Sequence, residues 1–326
     1  MSARCFHADL AAGSSSELER LAISEDLEDV LDSMCVSTDL VSAWASMGPW
    51  CQDDRGTRLP PVARQMALHM ISQLVASAGL PEGAWFAAAC ILDSSISASV
   101  DDTSVSQVRA LPAACVAIVS LIRKKDLTEV RVKGLDLSAL ATSVAAPLRV
   151  AGFEVPESVT HLDVLAYEGR MLKALGWRVN LPTIGSWIEL LISRLNVLLR
   201  NACPDVVSWI REQSTLAARF LVVRSSQVEL GDLQALATGL LSCFLVLGRI
   251  LPLDVLRPQH IQPNDWERLF LESHPQVDTI QQDNLPGEYV QIVRAALLRA
   301  SIYSLEEVRS ACLLATSRMR EALTEG

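Results

Sequence analysis

The stretch "YEGRMLKALGWRVNLPT", residues 167–183, closes an amphipathic helix through Leu-Gly-Trp and leaves it by a Leu-Pro-Thr turn. Glu168 is out of place in it. Its helical neighbours at i−4, i−3, i+3 and i+4 are Val164, Leu165, Met171 and Leu172, so a carboxylate stands in the middle of an apolar stripe. Gly176 suits a helix C-cap, and Trp177 is expected behind it as a core aromatic.

Working outward, the helical period recurs upstream. "PVARQMALHMISQLVASAGL" is a first helix closed by Gly79, and "PEGAWFAAACILDSSIS" a second, with Trp85, Ala88, Ala89, Leu92, Ser95 and Ile96 on one face. "VRALPAACVAIVSLIRKKD" is a third, whose Val108, Leu111, Cys115, Ile118, Val119 and Ile122 share a side and whose last turn carries cations suited to the macrodipole. It is the most evenly apolar of the set and is expected at the centre. "LSALATSVAAPLRV" is a short fourth helix, and the stretch quoted above ends the fifth, which starts near Thr160 and His161.

Downstream of "RNACPDV" five more candidates follow, centred on "VVSWIREQSTLAARFLVV", "ELGDLQALATGLLSCFLVLGRI", "NDWERLFLESH", "GEYVQIVRAALLRA" and "LEEVRSACLLATSRMREALTE". Two blocks of five helices suggest an architectural duplication without a repeated sequence. Ahead of both, "SSSELERLAISEDLEDVLDSM" carries seven acids against Arg20, with Leu18, Leu21, Leu27, Val30 and Leu31 on an apolar side. The reading is all-α: an N-terminal helical extension over 1–58 that docks on the body, a first domain over 59–199 and a second over 200–326.

Composition agrees. Half of the 326 residues are hydrophobic and only 5% aromatic, with abundant Ala and Leu, which favours helices over strands. A formal net charge of −10 argues against nucleic acid and against anionic lipid. The longest apolar run, at 240–248, is too short to span a bilayer, and the N-terminus lacks an apolar leader core, so an intracellular protein of nucleus or cytoplasm is expected. The eight cysteines are scattered without C-x-x-C, and the five histidines without ligand spacing, so no disulfide framework, metal or cofactor is expected. No phosphate loop, dinucleotide fingerprint or nucleophile elbow is present, and the paired acids Asp53-Asp54 and Asp101-Asp102 sit in turn-like surroundings. A binding protein is therefore expected rather than an enzyme.

Arg64, Ala67, Ile71, Leu80, Ala88, Ile91, Leu92 and Asp93 fall at the spacing of the cyclin box without a gap. "AACVAIVSLI" resembles the central helix of that family, and the quoted stretch is similar to its fifth helix and Pro-Thr exit. The resemblance covers 61–199 closely and the remainder by architecture alone. It implies two tandem five-helix cyclin-like folds and a divergent cyclin: the activating regulatory subunit of a cyclin-dependent protein kinase, with a place in the cell cycle and cell division. A cyclin-fold adaptor or scaffold without kinase activation is the alternative.

The resemblance also implies roles. Arg64 and Asp93 match an ion pair that ties helix one to helix two, which suits two charges beside apolar positions. In the family a fifth-helix Glu and a Lys at the end of helix three face the kinase. Glu168 matches the first, but Leu121 stands at the second, followed by Arg123 and Lys124 where the family has acids. With Met171 and Leu172 as apolar flanks, these residues make up the expected kinase-binding set. Three fates are open to Glu168: a cation on the kinase, an internal pair with Arg123, Lys124 or Lys125, or half-exposure at the stripe's edge. A docking patch for kinase substrates would begin at Ala63, Met66, Ala67 and Met70, where two residues are small and no Trp is offered. That argues against substrate docking at this face, and simple core packing is the preferred reading of Met66 and Met70.

Overall fold

The computed structural model describes residues 59–97, 104–126, 137–177, 179, 181–199, 204–225, 230–274 and 287–324; the N-terminal extension over 1–58 lies outside them. Every regular element among the described residues is helical. Eleven α-helices follow in chain order among the described residues, which divide into two compact units between Thr183 and Ile184.

The first unit holds α1 (Pro61–Ser77), α2 (Gly83–Ser97), α3 (Ser104–Asp126), α4 (Leu137–Val150) and α5 (His161–Ala174). α1 starts on Pro61, whose missing N–H costs nothing in a first turn, and closes at Gly79 with φ +65°. α3 packs against α1, α2, α4 and α5, so most of its apolar residues, Val108, Leu111, Cys115, Ile118, Val119 and Ile122 among them, are buried. By length and composition Ser106–Lys124 could cross a membrane, and its central place in the unit accounts for that apolarity. Two polar threads stitch the centre together. The Trp85 indole N–H donates to the Leu68 carbonyl at 3.2 Å, and the Cys115 thiol to the Ala67 carbonyl at 3.8 Å.

The second unit holds α6 (Ile184–Leu198), α7 (Pro204–Arg224), α8 (Leu233–Leu247), a 3-10 turn (Leu253–Leu256), α9 (Pro263–Ser273), α10 (Gly287–Ser301) and α11 (Leu305–Thr324). Two sequence expectations are corrected here. α6 is a full helix absent from the five-plus-five scheme, and it packs with α7, α8 and α10, which moves the boundary from 199/200 to 183/184. Ile184, Trp187, Ile188, Leu191, Ile192 and Leu195 are all buried in that company. α8 is the core helix of this unit. Asp232 caps it by accepting from the Ala235 amide at 2.9 Å, and eleven of its residues, Leu233 to Leu245, are buried.

α8 and α11 make the tightest crossing. A Cβ built on Gly239 would lie 2.1 Å from the Ala311 carbonyl oxygen and 2.9 Å from the Ala315 Cβ. Only a residue without a side chain lets the two backbones come so close. Cys243 and Cys312 lie in the same buried layer, with the Cys243 sulfur 3.9 Å from the Thr316 hydroxyl.

Burial decides the thiol chemistry. Desolvation pushes Cys90 up to about 12, aided by the Asp93 charge, and pushes Cys115 up to about 12 as well. Cys312 is raised well above the usual thiol value, first by burial. A neutral-pH titration with a chromogenic disulfide should therefore leave Cys90, Cys115, Cys243 and Cys312 unreacted in the native chain and reach them on denaturation. Fast reaction of any of the four under native conditions would contradict this packing.

Candidate functional site

The sequence-selected residues of the first unit gather on α1, α2, α3 and α5. Between α1 and α2, Arg64 and Asp93 meet in a two-pronged pair: Nε to Oδ1 at 2.8 Å and Nη2 to Oδ2 at 2.9 Å. Their side chains are 14% and 6% exposed, so each charge is tolerable because the other is present.

Between α3 and α5, the Lys124 ammonium donates to both Glu168 carboxylate oxygens, at 2.7 and 2.8 Å. Of the three fates open to Glu168, the structure holds the internal pair. The carboxylate end is the sheltered one, with Glu168 13% and Lys124 55% exposed. Leu121, where the family resemblance expects a Lys, is half-buried one helical turn before Lys124. The two positions are three residues apart and therefore lie near one face of α3. A Lys–Glu pair is thus made between the same two helices from the next turn. Because Lys124 is half in water, the pair's stabilising effect is small, about 1 kcal/mol or less.

α5 is aimed by its N-terminus. Thr160 and Asp163 form a reciprocal capping box, with the Thr160 amide donating to Asp163 Oδ2 at 2.8 Å and the Asp163 amide to Thr160 Oγ1 at 3.2 Å. The Thr160 hydroxyl, followed by its amide, holds the Asp163 carboxyl below its ordinary value. At the other end the chain closes by paired bonds, Gly176 N–H to the Lys173 carbonyl and Trp177 N–H to the Leu172 carbonyl, with φ of 55° and 65° at the two residues.

Several expected roles are corrected. Met171 is 2% exposed and packs into the unit's core, so it cannot touch a partner; Leu172 is half-buried beside it. Ala63, Ala67 and Met70 are 0%, 0% and 1% exposed, because this side of α1 lies against the centre of the unit, and Met66 is half-buried. No docking groove opens at those positions. Trp177 is no core aromatic: it is 70% exposed, since the left-handed turn throws its ring outward. Arg123 is half-buried at the end of α3.

The structure adds Leu162, which the sequence reading did not single out, and turns Leu165 of the expected stripe outward. Leu162 and Leu165 on α5 are 74% and 43% exposed. At 100° per residue they lie off the line of Val164 and Met171, which face the core, so a helical wheel centred on the buried side would have marked them.

Among the described residues no group of three His, Cys, Asp or Glu side chains is arranged to hold a metal. No protein-family model matches this chain, no curated protein matches its sequence, and no solved structure matches its fold.

Proposed function

We propose that this chain is a divergent cyclin: two tandem cyclin-like folds acting as the activating regulatory subunit of a cyclin-dependent protein kinase. The observation that carries the reading is the Lys124–Glu168 pair beside the exposed leucines of α5. It presents, at the end of helix three and the middle of helix five, the acid–base couple that the family resemblance expects on the kinase-facing side, with the cation supplied from a register one turn later. The cyclin-box spacing of Arg64 and Asp93, and the bidentate pair they make, support the same reading.

The mechanism is non-catalytic. ATP and Mg²⁺ belong to the kinase, and this chain acts by binding its active arrangement more tightly than its inactive one. Reversing a 1:99 population takes a differential affinity of about 10⁴-fold, or about 5.5 kcal/mol. In this reading it comes from the whole kinase-facing surface, of which Glu168, Lys124, Leu162 and Leu165 are part. The acidity of the chain speaks against nucleic acid as a partner, and the kinase's substrates have no groove at Ala63, Ala67 and Met70.

A second reading, a cyclin-fold adaptor without kinase activation, draws on one specific observation. Lys124 and Glu168 satisfy each other, so neither charge requires a kinase residue. The two separate in one experiment. Purified full-length chain is mixed with individual cyclin-dependent kinases, and complex formation and phosphorylation of a generic peptide are measured. A stoichiometric complex with raised kinase activity is the expected outcome; binding of other proteins with no kinase engaged would favour the adaptor. Within a kinase complex, Glu168→Arg should weaken binding by about tenfold or more while the fold persists. Unchanged affinity would remove Glu168 from the interface.

A further inference from the structure

A succession of aromatic rings links three helices of the second unit. Trp209 on α7 meets Phe244 on α8 edge-on at 6.2 Å, and Phe244 meets His274 edge-on at 6.1 Å. His274 stacks on Phe270 of α9 at 4.8 Å, and Phe270 leans on Trp266 at 6.1 Å. The middle ring is the one that titrates. His274 caps the end of α9, is 7% exposed, and has its Nδ1 3.1 Å from the Phe270 carbonyl oxygen. A carbonyl only accepts, so Nδ1 carries the hydrogen and Nε2 is the bare nitrogen of the neutral ring. Nε2 is buried and has no hydrogen-bond partner among the described residues.

The titratable groups on the elements packed around this ring do not reach Nε2 either. On α8 the Cys243 sulfur lies 3.9 Å from the Thr316 hydroxyl, and Arg249 beyond that helix is a further cation. On α11 Cys312 is buried and held neutral, Arg318 is paired with Glu321 at 3.0 Å, and Arg320 with Glu272 of α9 at 3.4 Å. Arg268 on α9 pairs with Asp265, and Arg211 on α7 with Glu189 at 3.2 Å, while Glu267 and Glu212 are exposed. Burial therefore decides. It holds the imidazole below its ordinary value of 6.5, and the Phe270 carbonyl, which favours the proton, opposes this only in part.

We propose that His274 is a proton-operated latch in the second unit. Neutral, it is the middle ring joining the end of α9 to α8 and, through Phe244, to α7. Protonated, it carries a charge and a second N–H with no acceptor among apolar rings, so it swings out to water and frees the last turn of α9. Ser273, whose hydroxyl bonds to the Thr316 carbonyl at 2.9 Å, keeps that end tethered to α11, so one corner opens while the rest of the unit stays folded. The released state takes up the proton at the higher pH. The latch is thus closed above the ordinary histidine value of 6.5 and weakens as pH falls below it. It is independent of the kinase reading, since all of its residues lie in the second unit.

Two measurements on the full-length chain test it. Replacing His7, His69, His161 and His260 by Gln leaves His274 as the one histidine, and its ¹³C-labelled ring should titrate below 6.5 by NMR. In the parent, amide protection at the C-terminal end of α9, corrected for intrinsic exchange, should fall about fivefold or more between about pH 7 and pH 5, with α8 unchanged. His274→Phe, a ring that cannot titrate, should abolish that dependence. Titration at or above 6.5, unchanged protection of α9 in the parent, or the same loss in His274→Phe would overturn the proposal. So would loss of protection in α8 together with α9, which is acid unfolding of the whole unit. Should His274→Phe not fold, His274→Gln replaces it: its α9 should exchange alike at both pH values, and a pH-dependent loss there would count against the latch.

Discussion

Asp93→Ala should lower the stability of the first unit by about 3 kcal/mol, read from the urea midpoint with an unchanged slope. The carboxylate it removes accepts two bonds from Arg64 at 2.8 and 2.9 Å, in a place where the two side chains are 14% and 6% exposed. Without it a guanidinium stays partly desolvated against α2, and such a charge costs more than the pair contributes. Arg64 has further polar contacts, which puts the expected loss at the low end of what breaking a buried pair costs. The double substitution R64M with D93L should recover most of it, to within about 1 kcal/mol of the parent, because neither charge is then left alone. A loss below about 1 kcal/mol for Asp93→Ala would mean that the pair behaves as a surface pair.

Gly239→Ala should be as damaging in the second unit, at about 3 kcal/mol. The new methyl would have to sit 2.1 Å from the Ala311 carbonyl oxygen, a backbone atom that moves only if α11 moves with it. Alanine is intrinsically the better helix former by about 1 kcal/mol, so a measured loss is steric in origin. Gly169→Ala in α5 is the matched control: with open space around its Cβ, it should stabilise by up to about 1 kcal/mol. If both changes stabilised, the α8–α11 crossing would have to be wider than described.

These two positions show what a sequence can and cannot display. Arg64 and Asp93 were legible because each is a charge interrupting an apolar helical face, and such a charge asks for a partner. Gly239 was not, since a glycine inside "LATGLLSCF" looks the same whether it faces water or another backbone. The central place of α3 followed from its even apolarity, because a helix buried all round can spare no polar face. α6 was missed for the opposite reason. "IGSWIELLISRLNVLL" follows the Pro-Thr exit so closely that it read as the tail of the first block, and its burial among α7, α8 and α10 depends on residues distant in sequence.

The α3–α5 site was half legible. The stripe around Glu168 left three fates open, with three cations at the end of α3 for the internal one; only the packing of α3 against α5 selects Lys124. The expected contact role of Met171 failed because an apolar helical residue does not say which of two faces is the inner one.

The left-handed turn at Gly176 and Trp177 has an optical consequence. Trp177 alone of the described tryptophans is exposed, while Trp85, Trp187 and Trp266 are buried and Trp209 is intermediate. Trp177→Phe should therefore remove an iodide-quenchable, red-shifted component of the emission, seen as the difference from the parent chain. Because that indole stands just past the C-terminal end of α5, a ligand reaching that end would report its own arrival as a blue shift and lost quenching, with no label attached.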